Sequence, residues 1–103
     1  MIRVSVLYPN SPDAKFNMQY YSNEHIKLVT DRVGSAIVSA ELNSGLGSAA
    51  PGEPAPYIAA GHLLFNSLAD FQGAFGPHAE EIMGDVPNFT NIEPMIQISE
   101  IVG

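Results

Sequence analysis

The stretch Met18-Gln-Tyr-Tyr-Ser-Asn-Glu-His25-Ile-Lys-Leu-Val29 carries the densest potential chemistry in the chain. It reads as a helix, and Met18, Tyr21, His25, Leu28 and Val29 fall at helical spacing on one apolar stripe. An imidazole in the middle of that stripe faces the packing surface. There it either fills the core, hydrogen-bonded to a carbonyl or a tyrosine, or lines a pocket as an acid or base. Tyr20 or Tyr21 could orient the ring, or hold an oxyanion through its phenol. Tyr8, near the end of the first strand, points outward from the same region. Tyr20, Glu24 and Lys27 lie on or near the other side of the helix, with Glu24 and Lys27 spaced for a weak ion pair.

A second histidine, His78, follows Gly76-Pro77, where a kink can turn the ring into a cleft. The alternative is a surface position beside Glu80 and Glu81. Asp85, in the loop beyond, either orients an imidazole or caps a turn. His62, mid-strand on the face of Ile58 and Leu64, reads as a structural or interface histidine. No His-x-x-x-His or Glu-x-x-His spacing joins these residues, so no metal site is assigned. The chain has no cysteine, which excludes disulfides, thiol catalysis and cysteine-ligated zinc. It has no nucleophile elbow, P-loop or dinucleotide fingerprint, and no cofactor is assigned.

The elements that must position these groups follow from periodicity. Ile2 to Tyr8 alternates as a strand and is stopped by Pro9-Asn-Ser-Pro-Asp13. Asn17 is placed as the N-cap of the first helix, with Phe16 and Tyr21 as a hydrophobic staple. That helix is predicted to run to about Arg32 and end near Gly34. Ser35 to Leu42 alternates as a second strand, and residues 43–56, rich in Gly, Pro, Ala and Ser, form a mobile hairpin loop. Tyr57 to Phe65 is the third strand; its small residues Ala59, Ala60 and Gly61 leave room for a bulky neighbour or ligand. Ser67-Leu-Ala-Asp70 is a capping-box variant opening a second helix, which breaks at Gly76-Pro77 and resumes to about Met83. Met95 to Val102 is the fourth strand.

The order β-α-β-β-α-β predicts an α+β, ferredoxin-like domain: a four-stranded antiparallel sheet with both helices on one face. At 103 residues the chain is read as one domain spanning 1–103. Charged residues make up only 15%, against a usual ~25%, so part of the surface must be weakly polar. A second copy packed on the helix-free face would cover it. The net charge of −7, from 11 acidic and 4 basic residues, argues against binding nucleic acid or an anionic membrane. No apolar run approaches the ~18 residues of a membrane span, and the expected location is cytoplasmic.

Five pieces in order carry a resemblance across nearly the whole chain. They are Leu7-Tyr8-Pro9; Tyr20-Tyr21-Ser-Asn-Glu-His25; Phe71-Gln-Gly-Ala-Phe75-Gly-Pro-His78; Asp85-Val-Pro-Asn-Phe89-Thr90-Asn91; and Pro94-Met-Ile-Gln-Ile-Ser-Glu100. In this the chain resembles the EthD family of the dimeric α/β barrel superfamily. The resemblance implies a homodimer whose two sheets form a barrel, with a pocket between helices and sheet in each subunit. Broader relatives include small cofactor-free enzymes: polyketide cyclases, quinone-forming monooxygenases and lactone isomerases. Some use a histidine late in the second helix as acid or base, a location that His78 matches. The long loop at 43–56 departs from the family pattern. The expected function is therefore binding of an apolar or aromatic carbonyl compound. His25 and His78 would exchange protons, and Tyr8, Tyr20, Tyr21 and Asp85 would contact or orient. The other reading is a non-catalytic accessory or ligand-binding protein of an oxidative degradation pathway.

Overall fold

The computed structural model describes residues 1–103. Strand β1 (Ile2–Pro9) lies inside the sheet, between β3 (Tyr57–Phe65) and β4 (Met95–Glu100), and β2 (Ile37–Ser44) closes the other edge. All neighbours pair antiparallel in the order β2-β3-β1-β4. This is the predicted ferredoxin-like α+β arrangement. Pro9 falls at the end of β1, where the pairing with β3 slips, so its missing N–H disturbs no central ladder.

The first helical run has three parts: α1 (Met18–Tyr20), a π-turn (Tyr21–His25) and α2 (Ile26–Val33). Asn17 caps it, its side chain accepting from the Tyr20 amide at 3.0 Å. Phe16 and Tyr21 form the expected staple, their rings edge-on at 5.0 Å. The π-turn departs from the uniform helix that the sequence predicts. Its mark is the Ile26 amide donating to the Tyr21 carbonyl, five residues back. The buried residues of the run are Tyr21, His25, Val29 and Val33, spaced by four throughout. A uniform α-helix at 3.6 residues per turn rotates such a set steadily off the core. The wider turn lets Tyr21 and His25 stay aligned with the valines below them. The expected ion pair between Glu24 and Lys27 does not form. The cation–carboxylate contact on this run is instead Arg32 with Glu81, at 2.8 Å and solvent-exposed. Exposed pairs of this kind add little; Arg32→Ala is expected to leave the thermal midpoint unchanged within the error of a melting curve.

The second helical run comprises α3 (Leu68–Phe75), a 3-10 turn (Gly76–His78) and α4 (Ala79–Gly84). Ser67 caps α3, its hydroxyl accepting from the Asp70 amide at 3.1 Å. The break falls at Gly76-Pro77, as predicted. Both runs pack on the sheet face that carries Val4 and Phe65, in a cluster with Val29, Val33, Phe71 and Ile82. A second cluster holds Tyr8, Tyr21, Ala59, Val86 and Phe89.

Element ends differ from the sequence reading where tertiary bonds decide. Residues 34–36 form a turn, held by the Ala36 and Ile37 amides donating to Val33 and Gly34, so β2 begins at Ile37 instead of Ser35. β2 then extends to Ser44, and the 43–56 loop is tied at its base. The Gly45 amide donates to Ile58, Asn10 donates to Pro56 and Ala55 through its amide and side chain, and Ala55 is buried. The helices stop short of the β4 edge. Ile96 and Ile98 pair with Val6 and Val4 but remain 47% and 45% exposed.

Candidate functional site

Between the two core clusters lies a cavity of ≈ 70 Å³, and 14 of the 16 residues around it are hydrophobic. It takes Val4, Val29, Phe71 and Ile82 from one cluster and Tyr8, Tyr21 and Val86 from the other. His25 is in its wall. The helix stripe thus resolves to a pocket wall.

The His25 ring is held on three sides. It lies 4.7 Å from the Phe89 ring and stacks at 5.9 Å on Tyr21. Its Nδ1 is 2.9 Å from Asp85 Oδ2. With Nδ1–H donating to that carboxylate, the ring's lone pair sits on Nε2. The residue is only 6% exposed, so little bulk water competes for that lone pair.

Asp85 is the hub of the site. Besides His25, it accepts from the Tyr20 hydroxyl at 2.7 Å and from Asn88 Nδ2 at 2.8 Å, both on Oδ1. Burial pushes its carboxyl up, but the hydrogen bonds from Asn88, His25 and Tyr20 outweigh this and hold it below the usual aspartate range. The same bond to Asp85 raises the Tyr20 phenol, which must stay protonated to donate it. A group with a depressed folded-state pKa stabilises the fold above the unfolded value and loses that contribution as pH falls through the folded one. Thermal stability is therefore expected to fall as pH drops below about 4, the ordinary aspartate range. A melting series from pH 6 to pH 2 should show part of this decline missing in Asp85→Asn.

The hub is held to the first helix by stitching between two distant segments. The Asn17 amide donates to the Phe89 carbonyl at 2.7 Å. The Thr90 hydroxyl donates to the Lys15 carbonyl at 2.6 Å. Asn91 accepts from the Lys15 amide and donates to the Asp13 carbonyl. The loop after α4 therefore docks on the chain just before α1, and a 3-10 turn (Val86–Asn88) aims Asp85 at His25.

Tyr8 and Tyr21 line the cavity and are 1% and 3% exposed. Burial raises both phenols well above their ordinary range, so both are protonated. The Tyr21 hydroxyl lies over Gly61, where a Cβ would stand 2.6 Å from it. This is the bulky neighbour for which the small residues of β3 left room. Tyr20 does not reach His25 directly; it reaches Asp85, so its link to the imidazole is indirect.

The other two histidines lie elsewhere. His78 ends the 3-10 turn half-buried and beside Glu81, and is not among the cavity residues. His62 lies on the helix-free face, its Nδ1 2.9 Å from Ser5 Oγ. The three rings do not converge, and no group of three or more His, Asp or Glu side chains is placed to hold a metal ion. No helix is long and apolar enough to cross a membrane. Asn88 and Phe89 do not stand out as site residues in the sequence, because their role depends on how the loop docks.

Comparison with known proteins agrees with the fold. The chain is similar to an EthD-like protein from Ralstonia eutropha JMP134, with 37% identity and a TM-score of 0.93 over 99% of this chain and 92% of that one. It is also similar to an ethyl tert-butyl ether D (EthD) family protein from Bacillus halodurans C-125, at 14% identity and a TM-score of 0.70 over 99% of each chain. A dimeric protein of unknown function and ferredoxin-like fold from Bacteroides fragilis matches at 16% identity and a TM-score of 0.58, over 97% of this chain and 95% of that one. No curated protein matches the sequence. The EthD domain profile matches residues 13–93, and the chain belongs to the EthD family.

Proposed function

We propose that this protein binds an apolar small molecule in the cavity between helices and sheet, and that His25 takes a proton from it. The observation that carries this reading is the division of labour on one imidazole. Nδ1 is clamped by Asp85, while the ring stands in an apolar wall with Nε2 free. A neutral imidazole in a dry site is suited to act as a general base. Asp85 is a positioning residue that fixes the tautomer, and Tyr20 and Asn88 hold Asp85 in turn. His78, outside the cavity, takes no part in this step.

The test is hydrogen–deuterium exchange at the carbon next to the carbonyl of a compact ketone, followed by NMR in D₂O. Exchange faster than in buffer, and lost in His25→Ala, supports the proton-transfer reading. Saturable binding with no acceleration would favour a non-catalytic accessory protein.

We further propose that the working form is a homodimer. Met95, Ile96, Ile98 and Val38 are each about half exposed, an unusual outlay of large apolar side chains on edge strands. The structural neighbour described as dimeric has the same fold. Light scattering at micromolar concentration is expected to give twice the chain mass, and Ile96→Lys with Ile98→Lys to give the monomer. A wild-type monomer would contradict the proposal.

A further inference from the structure

Two buried hydroxyls in the cavity have no partner within the protein. Tyr8 and Tyr21 are almost fully enclosed, and their rings meet edge to face at 5.5 Å. The other side-chain polar groups of the site are engaged, apart from His25 Nε2. Asp85 accepts three hydrogen bonds, and His25 Nδ1 is bonded to it. No side-chain polar atom sealed from solvent lacks a partner, so the two phenolic oxygens open onto the cavity and are not walled in by packing. An open donor in an apolar site is a demand for an acceptor.

The walls also restrict what can supply it. No lysine or arginine lines the cavity. A carboxylate or phosphate group there would be buried without a counter-charge, at a high desolvation cost. A hydrocarbon would leave both hydroxyls dry and unpaired. What remains is an uncharged molecule with one strong acceptor oxygen on a compact apolar body.

We infer that the cavity takes an uncharged ketone, its carbonyl oxygen held by the Tyr8 and Tyr21 hydroxyls and its adjacent C–H presented to His25 Nε2. This rests on the proposed proton-acceptor role of His25. The step balances without an oxidant or a second reactant. The C–H bond next to the carbonyl breaks and its proton passes to Nε2. The electron pair forms the C=C bond of an enolate, and the carbonyl π electrons move to oxygen. That oxygen gains negative charge where two phenols donate to it, which favours the transition state over the bound ketone. Both phenols are raised by burial, so they remain donors through the neutral range.

Three probes of one shape separate the possibilities: cyclopentanone, methylenecyclopentane (a CH₂ group in place of the oxygen) and cyclopentanecarboxylate. Binding to the full chain is followed by ligand-detected NMR. The ketone is expected to bind about a hundredfold more tightly than the alkene, roughly tenfold for each of two good hydrogen bonds, and the carboxylate to bind weakest. Tyr8→Phe and Tyr21→Phe, which keep the ring packing, should each remove about tenfold of the ketone's advantage and leave alkene binding unchanged. Gly61→Ala is a second route to the same loss, because its Cβ would displace the Tyr21 hydroxyl while leaving it in the chain. Alkene binding equal to ketone binding would overturn the phenol grip and leave the cavity's ligand role standing. Tightest binding of the carboxylate would overturn the inference of a neutral ligand. Binding of none of the three would overturn both this inference and the function on which it rests.

Discussion

Replacing Asp85 with asparagine is expected to lower ketone exchange by about 10²–10⁴-fold while the protein stays folded. The substitution is close to isosteric, so Tyr20 and Asn88 can still donate to the side-chain oxygen that both now share. What changes is the atom facing His25. An amide NH₂ there donates to Nδ1, which forces the ring proton onto Nε2, the atom that must accept a proton from the ligand. The base is then blocked with its geometry intact. Ketone binding should change far less than rate, because Asp85 does not line the cavity. His25→Ala sets the floor for the comparison, and a rate for Asp85→Asn near wild type would show that the carboxylate does not set the tautomer.

Phe65→Ala is expected to cost about 3–5 kcal/mol of folding stability. Phe65 is fully buried at the end of β3, packed edge-on against Phe71 at 5.1 Å. It joins the sheet to both helical runs through Val29, Val33, Phe71 and Ile82. Truncation removes the apolar area and leaves a void that a β-strand backbone cannot close. Domains of this size have about 5–15 kcal/mol in total, so the variant should melt some tens of degrees lower or fail to accumulate folded. Chemical denaturation checks the value, and a loss below about 1 kcal/mol would mean that the core repacks around the gap.

What the sequence made legible was largely local. Asn17 capping, the Phe16–Tyr21 staple, the break at Gly76-Pro77 and the four alternating strands depend on neighbours a few residues apart, and all are present. The order of those elements, with the handedness of connections, then leaves few topologies. The π-turn is hidden because five residues of wider winding leave almost the same apolar spacing as an α-helix. The pairing of Asp85 with His25 spans 60 residues and depends on how Thr90 and Asn91 dock on the chain before α1. No periodicity encodes that. From sequence Asp85 reads only as an orienting group or a turn cap; in the fold it lies 2.9 Å from His25 Nδ1, and it also opens the turn that carries Asn88. His78 stands out by its place in the second helix, but whether its ring turns in or out depends on the turn geometry at Gly76-Pro77. In the fold the ring lies outside the cavity.

Everything proposed for the site depends on His25 presenting a free Nε2 to a ligand while Asp85 holds Nδ1. The most direct test is ¹⁵N NMR of the histidine side chains at neutral pH, with and without cyclopentanone. His25 is expected to be the Nδ1–H tautomer, with an unprotonated Nε2 whose resonance moves on ketone addition while those of His62 and His78 do not. An Nε2–H tautomer, or a His25 resonance indifferent to a ketone that binds, would contradict this assignment.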